Sequence, residues 1–238
     1  MKIEKILSSF PKTRPPISDK LRNIYADHYK KNRNGGSFGS FLAQKLESWM
    51  HKKVSEATPL KKLQAYNTLE IGAGTLNQLP YEVNNESYDC IEPMNFLYKD
   101  SSRLSCVRNI YHSISEIDPK IKYDRIISIA VLEHLDNLPQ ILEESIKHMA
   151  DGSIFACGIP SEGGFLWGVA WRLSTGLEFR IRTGLSYSEL MRHEHLNTSL
   201  EIESLLMYYF RDVKIKRLGL GRHFSLYSYI ECKNPKVI

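Results

Sequence analysis

Residues 68 to 92 constrain this chain more than any other stretch. Thr68-Leu69-Glu70-Ile71 is an apolar strand that runs straight into a tight glycine turn, Gly72-Ala73-Gly74-Thr75-Leu76. Tyr88-Asp89-Cys90-Ile91 reads as a second short strand and ends on Glu92, twenty residues after Gly72. In a parallel α/β sheet this layout builds a nucleoside pocket. The glycines let a ligand approach the backbone, and an acid closing the second strand can accept hydrogen bonds from ribose hydroxyls. The dinucleotide fingerprint G-x-G-x-x-G would need glycine at position 77, where Asn77 stands, so a nicotinamide cofactor is disfavoured.

Around this core the chain divides simply. Residues 1–65 are expected to form an N-terminal arm and helical cap, and residues 66–238 the main domain with a lid insertion over 160–197. The first twenty residues carry Pro11, Pro15 and Pro16 and read as an arm lying on the surface. Helices are predicted over about 18–31 and from Ser37 to about Val54, parted by the breaker Asn32-Arg33-Asn34-Gly35-Gly36. Apolar positions 38, 41, 42, 46, 49 and 50 repeat at helical spacing, so one face of the second helix should pack on the domain. From Tyr66 strand and helix patterns alternate, the mark of a parallel sheet with crossover helices. Strands are expected at 67–71, 88–91, 105–110, 124–130 and 153–159. A helix over 199–209 follows, opened by a Thr198/Glu201 capping box, and then adjacent strands near 212–218 and 223–232.

Glu70-Ile71-Gly72-Ala73-Gly74-Thr75-Leu76 resembles the first motif, E/D-x-G-x-G-x-G, of the class I S-adenosylmethionine-dependent methyltransferases, with Leu76 where the last glycine would be. Tyr123 to Leu135 resembles that family's fourth-strand motif, and Ala150-Asp151-Gly152-Ser153 its turn into the fifth strand. The resemblance implies an α/β, Rossmann-like, seven-stranded, mostly parallel sheet with helices on both faces and an antiparallel terminal hairpin. It implies S-adenosyl-L-methionine as cofactor, with Glu70, Gly72, Ala73 and Gly74 beside it and Glu92 and Pro93 at the ribose. Ser115 and Glu116 would lie near adenine, the Ala130 backbone near the methionine end, and Arg33 near the carboxylate or an acceptor phosphate. The whole chain is also similar to methyltransferases of bacterial surface-polysaccharide gene clusters. That implies transfer to a hydroxyl of a sugar, sugar nucleotide or glycan. An aromatic or quinone-like acceptor and a non-catalytic nucleoside-binding module are the alternatives.

Methyl transfer needs an aimed nucleophile, an absence of water and sometimes a base. Such chemistry sits outside the carboxyl ends of parallel strands, which directs attention to the long segment 160–197. It carries Trp167, Trp171, Arg172, Arg180, Arg182 and Arg192, balanced by Glu162, Glu178, Glu189 and Glu194, and reads as a helical lid. His195, then His193, then His134 are the candidate proton acceptors, since imidazole titrates near neutral pH. His193-Glu194-His195 has no third ligand at a recognisable spacing, so no metal is expected. The 32 basic and 27 acidic residues leave a charge of +5 in scattered doublets, which favours a small-molecule partner over nucleic acid. Contact with a membrane would be peripheral at most, through the apolar part of the lid. Four unpaired-looking cysteines and the lack of an apolar leader point to a cytoplasmic protein.

Overall fold

The structure, a computed structural model, describes residues 2–22, 24, 38–60, 64–83 and 85–236. Seven strands, β1 Tyr66–Ile71, β2 Asn85–Ile91, β3 Asn109–Tyr111, β4 Tyr123–Ile129, β5 Met149–Pro160, β6 Phe210–Leu220 and β7 Phe224–Pro235, form one sheet in the order β3-β2-β1-β4-β5-β7-β6. The first five pair in parallel, and β7 runs antiparallel to both β5 and β6. Helices among the described residues include α1 Ile3–Leu7, α2 Phe38–Ser55, α3 Leu138–Lys147, α4 Phe165–Trp171, α5 Leu177–Thr183, α6 Tyr187–Glu194 and α7 Ser199–Tyr209. Strand order reverses between β1 and β4, and this switch opens a crevice at their carboxyl ends.

Side chains alternate across the pleat and give the sheet two apolar faces. Leu69, Ile71, Ile126, Phe155, Cys157 and Ile230 share one core with Ile6 of α1, Leu138 and Leu142 of α3 and Leu205 and Leu206 of α7. On the other face Cys90, Ile127, Ile129, Ala156 and Tyr229 meet Met50 and Val54 of α2. The approach of α2 to β5 is close. A Cβ placed on Gly158 would stand 2.8 Å from Cβ of Met50. The Thr198/Glu201 capping box opens α7 as expected, with Thr198 and Glu201 each satisfying the other's backbone.

Three features depart from the sequence-based expectation. Among the described residues the crossovers β1–β2, β2–β3 and β3–β4 hold short 3₁₀ turns, such as Leu79–Tyr81, in place of α-helices. The β1–β2 and β3–β4 connections are short and interrupted by Pro80 and Pro119, which leaves no unbroken stretch for a multi-turn helix; the β2–β3 connection, residues 92–108, has the length for one yet forms two 3₁₀ turns. Strand β3 is only Asn109–Tyr111, while Leu104–Cys106 is a 3₁₀ turn with Cys106 exposed. The N-terminal arm is packed into the molecule: Ile6 is buried, and Lys12 donates to the Leu196 carbonyl (2.9 Å) and the Glu201 carboxylate (2.7 Å). No described helix is long and apolar enough to cross a membrane.

Candidate cofactor and acceptor site

The turn after β1 is wound in left-handed backbone, with φ +73° at Gly72, +53° at Gly74 and +63° at Leu76. Leu76 thus keeps the conformation a glycine would adopt easily, with its side chain fully buried. The Gly72 N–H donates to the Ile91 carbonyl at 2.8 Å, tying the turn to the end of β2. A Cβ on Gly72 would come within 2.4 Å of the Val131 side chain, so space as well as φ requires glycine there. The Glu92 carboxylate accepts the Gly74 N–H at 2.8 Å and the Met94 N–H at 2.9 Å, which pins it at the crevice edge. Across the switch point Ala130 also adopts positive φ (+52°), and its N–H donates to the Gly158 carbonyl (2.8 Å). Glu70 is buried beside these groups and accepts the Tyr88 hydroxyl at 2.7 Å. Burial pushes its carboxyl up to about 8, the Tyr88 bond opposes that, and Glu82 and Glu92 add to it.

A cavity of about 1000 Å³ extends from this turn to the lid. Glu70, Gly72, Ala73 and Ala130 line one end, His51 of α2 one side, and Trp167 and Trp171 the roof. Glu92 and Pro93, Ser115 and Glu116 stand outside its walls, after β2 and after β3 respectively. Pro93, Ser115 and Glu116 are exposed, and Glu116 is engaged by the His112 N–H at 2.9 Å. Arg33 lies outside the described residues.

The other end of the cavity gathers Glu133, His134 and His195. His195 closes α6, and its Nδ1 is 2.8 Å from Glu162 Oε2, which also accepts the Trp167 indole N–H at 2.7 Å. The indole lies nearly parallel to the His195 ring, with centroids 6.5 Å apart, and His134 meets that ring edge-on at 4.9 Å. Burial alone would draw the His195 pKa down, but Glu162, Glu133 and Glu194 hold it above the ordinary value. Glu162 answers in the same sense: burial raises its pKa, and the His195 and Trp167 bonds bring it below the usual range. Glu133 is buried, and its pKa is pushed up to about 7 by desolvation, against the pull of His195. Among the described residues its Oε2 has no hydrogen-bond partner. His193 points elsewhere. Its Nδ1 is 2.7 Å from the Pro15 carbonyl of the arm, and it does not line the cavity.

The fold thus brings His195 and His134, both singled out by the sequence, together with Glu133, Glu162 and the Trp167 indole, which the sequence did not single out for this cluster. Glu133 immediately precedes His134 and could have been raised with it; Glu162 lies 33 residues from His195 and left no local signal.

No family model and no curated protein sequence matches the chain. Solved structures do. The plantazolicin methyltransferase BamL, in complex with a triazolic desmethylPZN analogue and SAH, superposes with a TM-score of 0.60 at 13% identity, over 98% of this chain and 100% of that one. A possible histamine N-methyltransferase from Thermotoga maritima gives 0.58 at 13% identity over 90% and 97%. N-methyltransferase NodS from Bradyrhizobium japonicum gives 0.52 at 14% identity over 82% and 97%. The chain has the seven-stranded Rossmann-like fold on which these methyltransferases are built.

Proposed function

We propose that the protein is an S-adenosyl-L-methionine-dependent methyltransferase acting in the cytoplasm on a small-molecule acceptor. The observation that carries this reading is the clamped Glu92 facing a left-handed glycine turn, next to a cavity with a proton-accepting cluster at its far end. The residues fit the cofactor. Glu92 has two oxygens but only two backbone donors, which leaves lone pairs for ribose hydroxyls. Glu70, Gly72, Ala73, Gly74 and Ala130 surround the place for the amino-acid portion, and Pro93, Ser115 and Glu116 border the base; Arg33, outside the described residues, is the candidate partner of the carboxylate or of an acceptor phosphate. Bound there, the cofactor supplies an electrophilic methyl group on a sulfonium.

The protein's own part is to orient the acceptor, exclude water under the lid and take up a proton. His195, steadied by Glu162 and Trp167, accepts that proton on Nε2, with His134 beside it and His193 as a support of the arm. A hydroxyl of a sugar, sugar nucleotide or glycan suits this arrangement because an alcohol attacks poorly until its proton has somewhere to go. Arg182 on the cavity wall supports a phosphate-bearing acceptor. The aromatic roof of Trp167 and Trp171 with Tyr227 supports a second reading, an aromatic or quinone-like metabolite. The exposed Leu173, Leu177 and Ile181 on the lid agree with peripheral contact with lipid-borne acceptors. The division into a cap (1–65), a methyltransferase domain (66–238) and a lid (160–197) follows the same reading.

Calorimetry with S-adenosylmethionine, S-adenosylhomocysteine and NAD tests the proposal. The two adenosyl ligands should bind and NAD should not, and Glu92→Ala should weaken adenosyl binding at least about 10-fold, the loss of charge-assisted bonds. Unchanged affinity in Glu92→Ala would defeat it. Release of S-adenosylhomocysteine with sugars, phenols and amines as acceptors then identifies the substrate class.

A further inference from the structure

The cluster at the acceptor end holds more than a base. One carboxylate oxygen of Glu133 and one ring nitrogen each of His134 and His195 lie within 4.8 Å of one another. The tautomers follow from the hydrogen bonds. His134 Nδ1 is 2.8 Å from the Glu194 carbonyl, an acceptor only, so Nδ1 carries the proton and Nε2 the lone pair. His195 Nδ1 faces the Glu162 carboxylate at 2.8 Å, which assigns the same tautomer in its neutral form. His134 Nε2 is 3.7 Å from Glu133 Oε1. Among the described residues the buried Oε2 of Glu133 has no hydrogen-bond partner, a second sign that something cationic belongs here.

We propose that Glu133, His134 and His195 form a binding site for a divalent first-row transition ion, with the open coordination position facing the acceptor cavity. Two imidazoles and one carboxylate are a borderline ligand set that suits zinc, manganese, cobalt or iron, and three protein ligands leave room for an exchangeable one. Metal-bound histidines usually donate their other nitrogen to a carboxylate or carbonyl, which fixes ring and tautomer. His195 with Glu162 and His134 with the Glu194 carbonyl already do so. Ligating one ion at about 2.0–2.2 Å would require the three donor atoms, now within 4.8 Å of one another, to draw closer. Ligation and proton acceptance use the same lone pair on His195, so an ion and base catalysis by that residue exclude each other. With the ion bound, coordination would lower the pKa of a hydroxyl on the open position, and its proton would pass to solvent and not to His195. The site itself stands on geometry; only this use of it rests on the methyl-transfer reading.

The test is metal uptake by the full-length protein after removal of ions with a chelator. Cobalt(II) should bind with one ion per chain and give visible absorption bands, and zinc should displace it. His134→Gln, His195→Gln and Glu133→Gln should each weaken cobalt binding by about 10-fold or more. Glu162→Gln, whose carboxylate contacts His195, Trp167 and the Gly163 backbone but none of the other ligands, should weaken it by about 10–100-fold while leaving the ligand set intact. Thermal melts of each variant show whether it is folded; Glu162→Gln serves where a ligand variant is not. A folded wild type that takes up no cobalt, or uptake indifferent to all four substitutions, overturns the site. S-adenosylhomocysteine affinity measured on the same preparations separates this failure from failure of the methyltransferase reading.

Discussion

Glu70 shows how one position can be legible as chemistry and still need the fold to set its charge. The motif places an acid two residues before Gly72, and the structure buries that acid against Tyr88. Its pKa rises from the ordinary 4.5 to about 8 because burial penalises the carboxylate. A raised carboxyl contributes its full stability below about 4.5, loses it progressively as the unfolded chain ionises, and has none left once pH passes through about 8. Glu70→Gln cannot ionise. Melting curves from pH 5 to pH 9 should therefore show the wild type losing ground to Glu70→Gln as pH rises, by roughly 2–4 °C per kcal/mol for a chain of this size. Parallel profiles would show that Glu70 is ionised in the folded protein at neutral pH. The conformation of the glycine turn and the position of Glu92 beside it were readable for the same reason as Glu70, since both depend on short spacing. His193 was not separable from His195 in sequence; a two-residue step across the end of α6 turns one toward the arm and the other toward the cavity.

At the scale of elements the alternating pattern correctly implied a parallel sheet but overstated its helices. The turn-rich crossovers before β4 leave that face of the sheet to be covered by α2, which reaches it from the N-terminal side. The match is close at Gly158, where an added Cβ would meet Met50 at 2.8 Å. Gly158→Ala should therefore destabilise the protein by about 1–3 kcal/mol in urea unfolding, the usual result of overpacking. A neutral effect would mean that α2 can shift outward at little cost. The lid was expected to be helical, and it is, in three short segments, α4 to α6, with a π-type turn at Arg172–Gly176. Apolar spacing announced those helices; which of their side chains face the cavity depended on where β5 and β7 deliver them.

Across the whole molecule a buried ion pair links regions far apart in the chain. Arg125 of β4 and Glu82 of the first crossover meet at 2.7 Å, each almost fully buried, and Arg125 also donates to the Val54 carbonyl of α2. Glu82→Ala would strand the guanidinium in the interior, and we expect a loss of about 3–5 kcal/mol in equilibrium unfolding, with Arg125→Met together with Glu82→Leu recovering much of it. A small effect of Glu82→Ala would mean that water reaches Arg125. Periodicity and turn residues announced the strands and a parallel sheet, because each is a local pattern, while the seven strands and the terminal hairpin were implied by the resemblance carried by Glu70 to Leu76 and Tyr123 to Leu135. The acceptor end was decided only by tertiary structure. Glu133 and His134 follow β4, Glu162 follows β5 and His195 ends α6, and no sequence spacing records that the switch point, the lid and the arm bring them within a few ångströms.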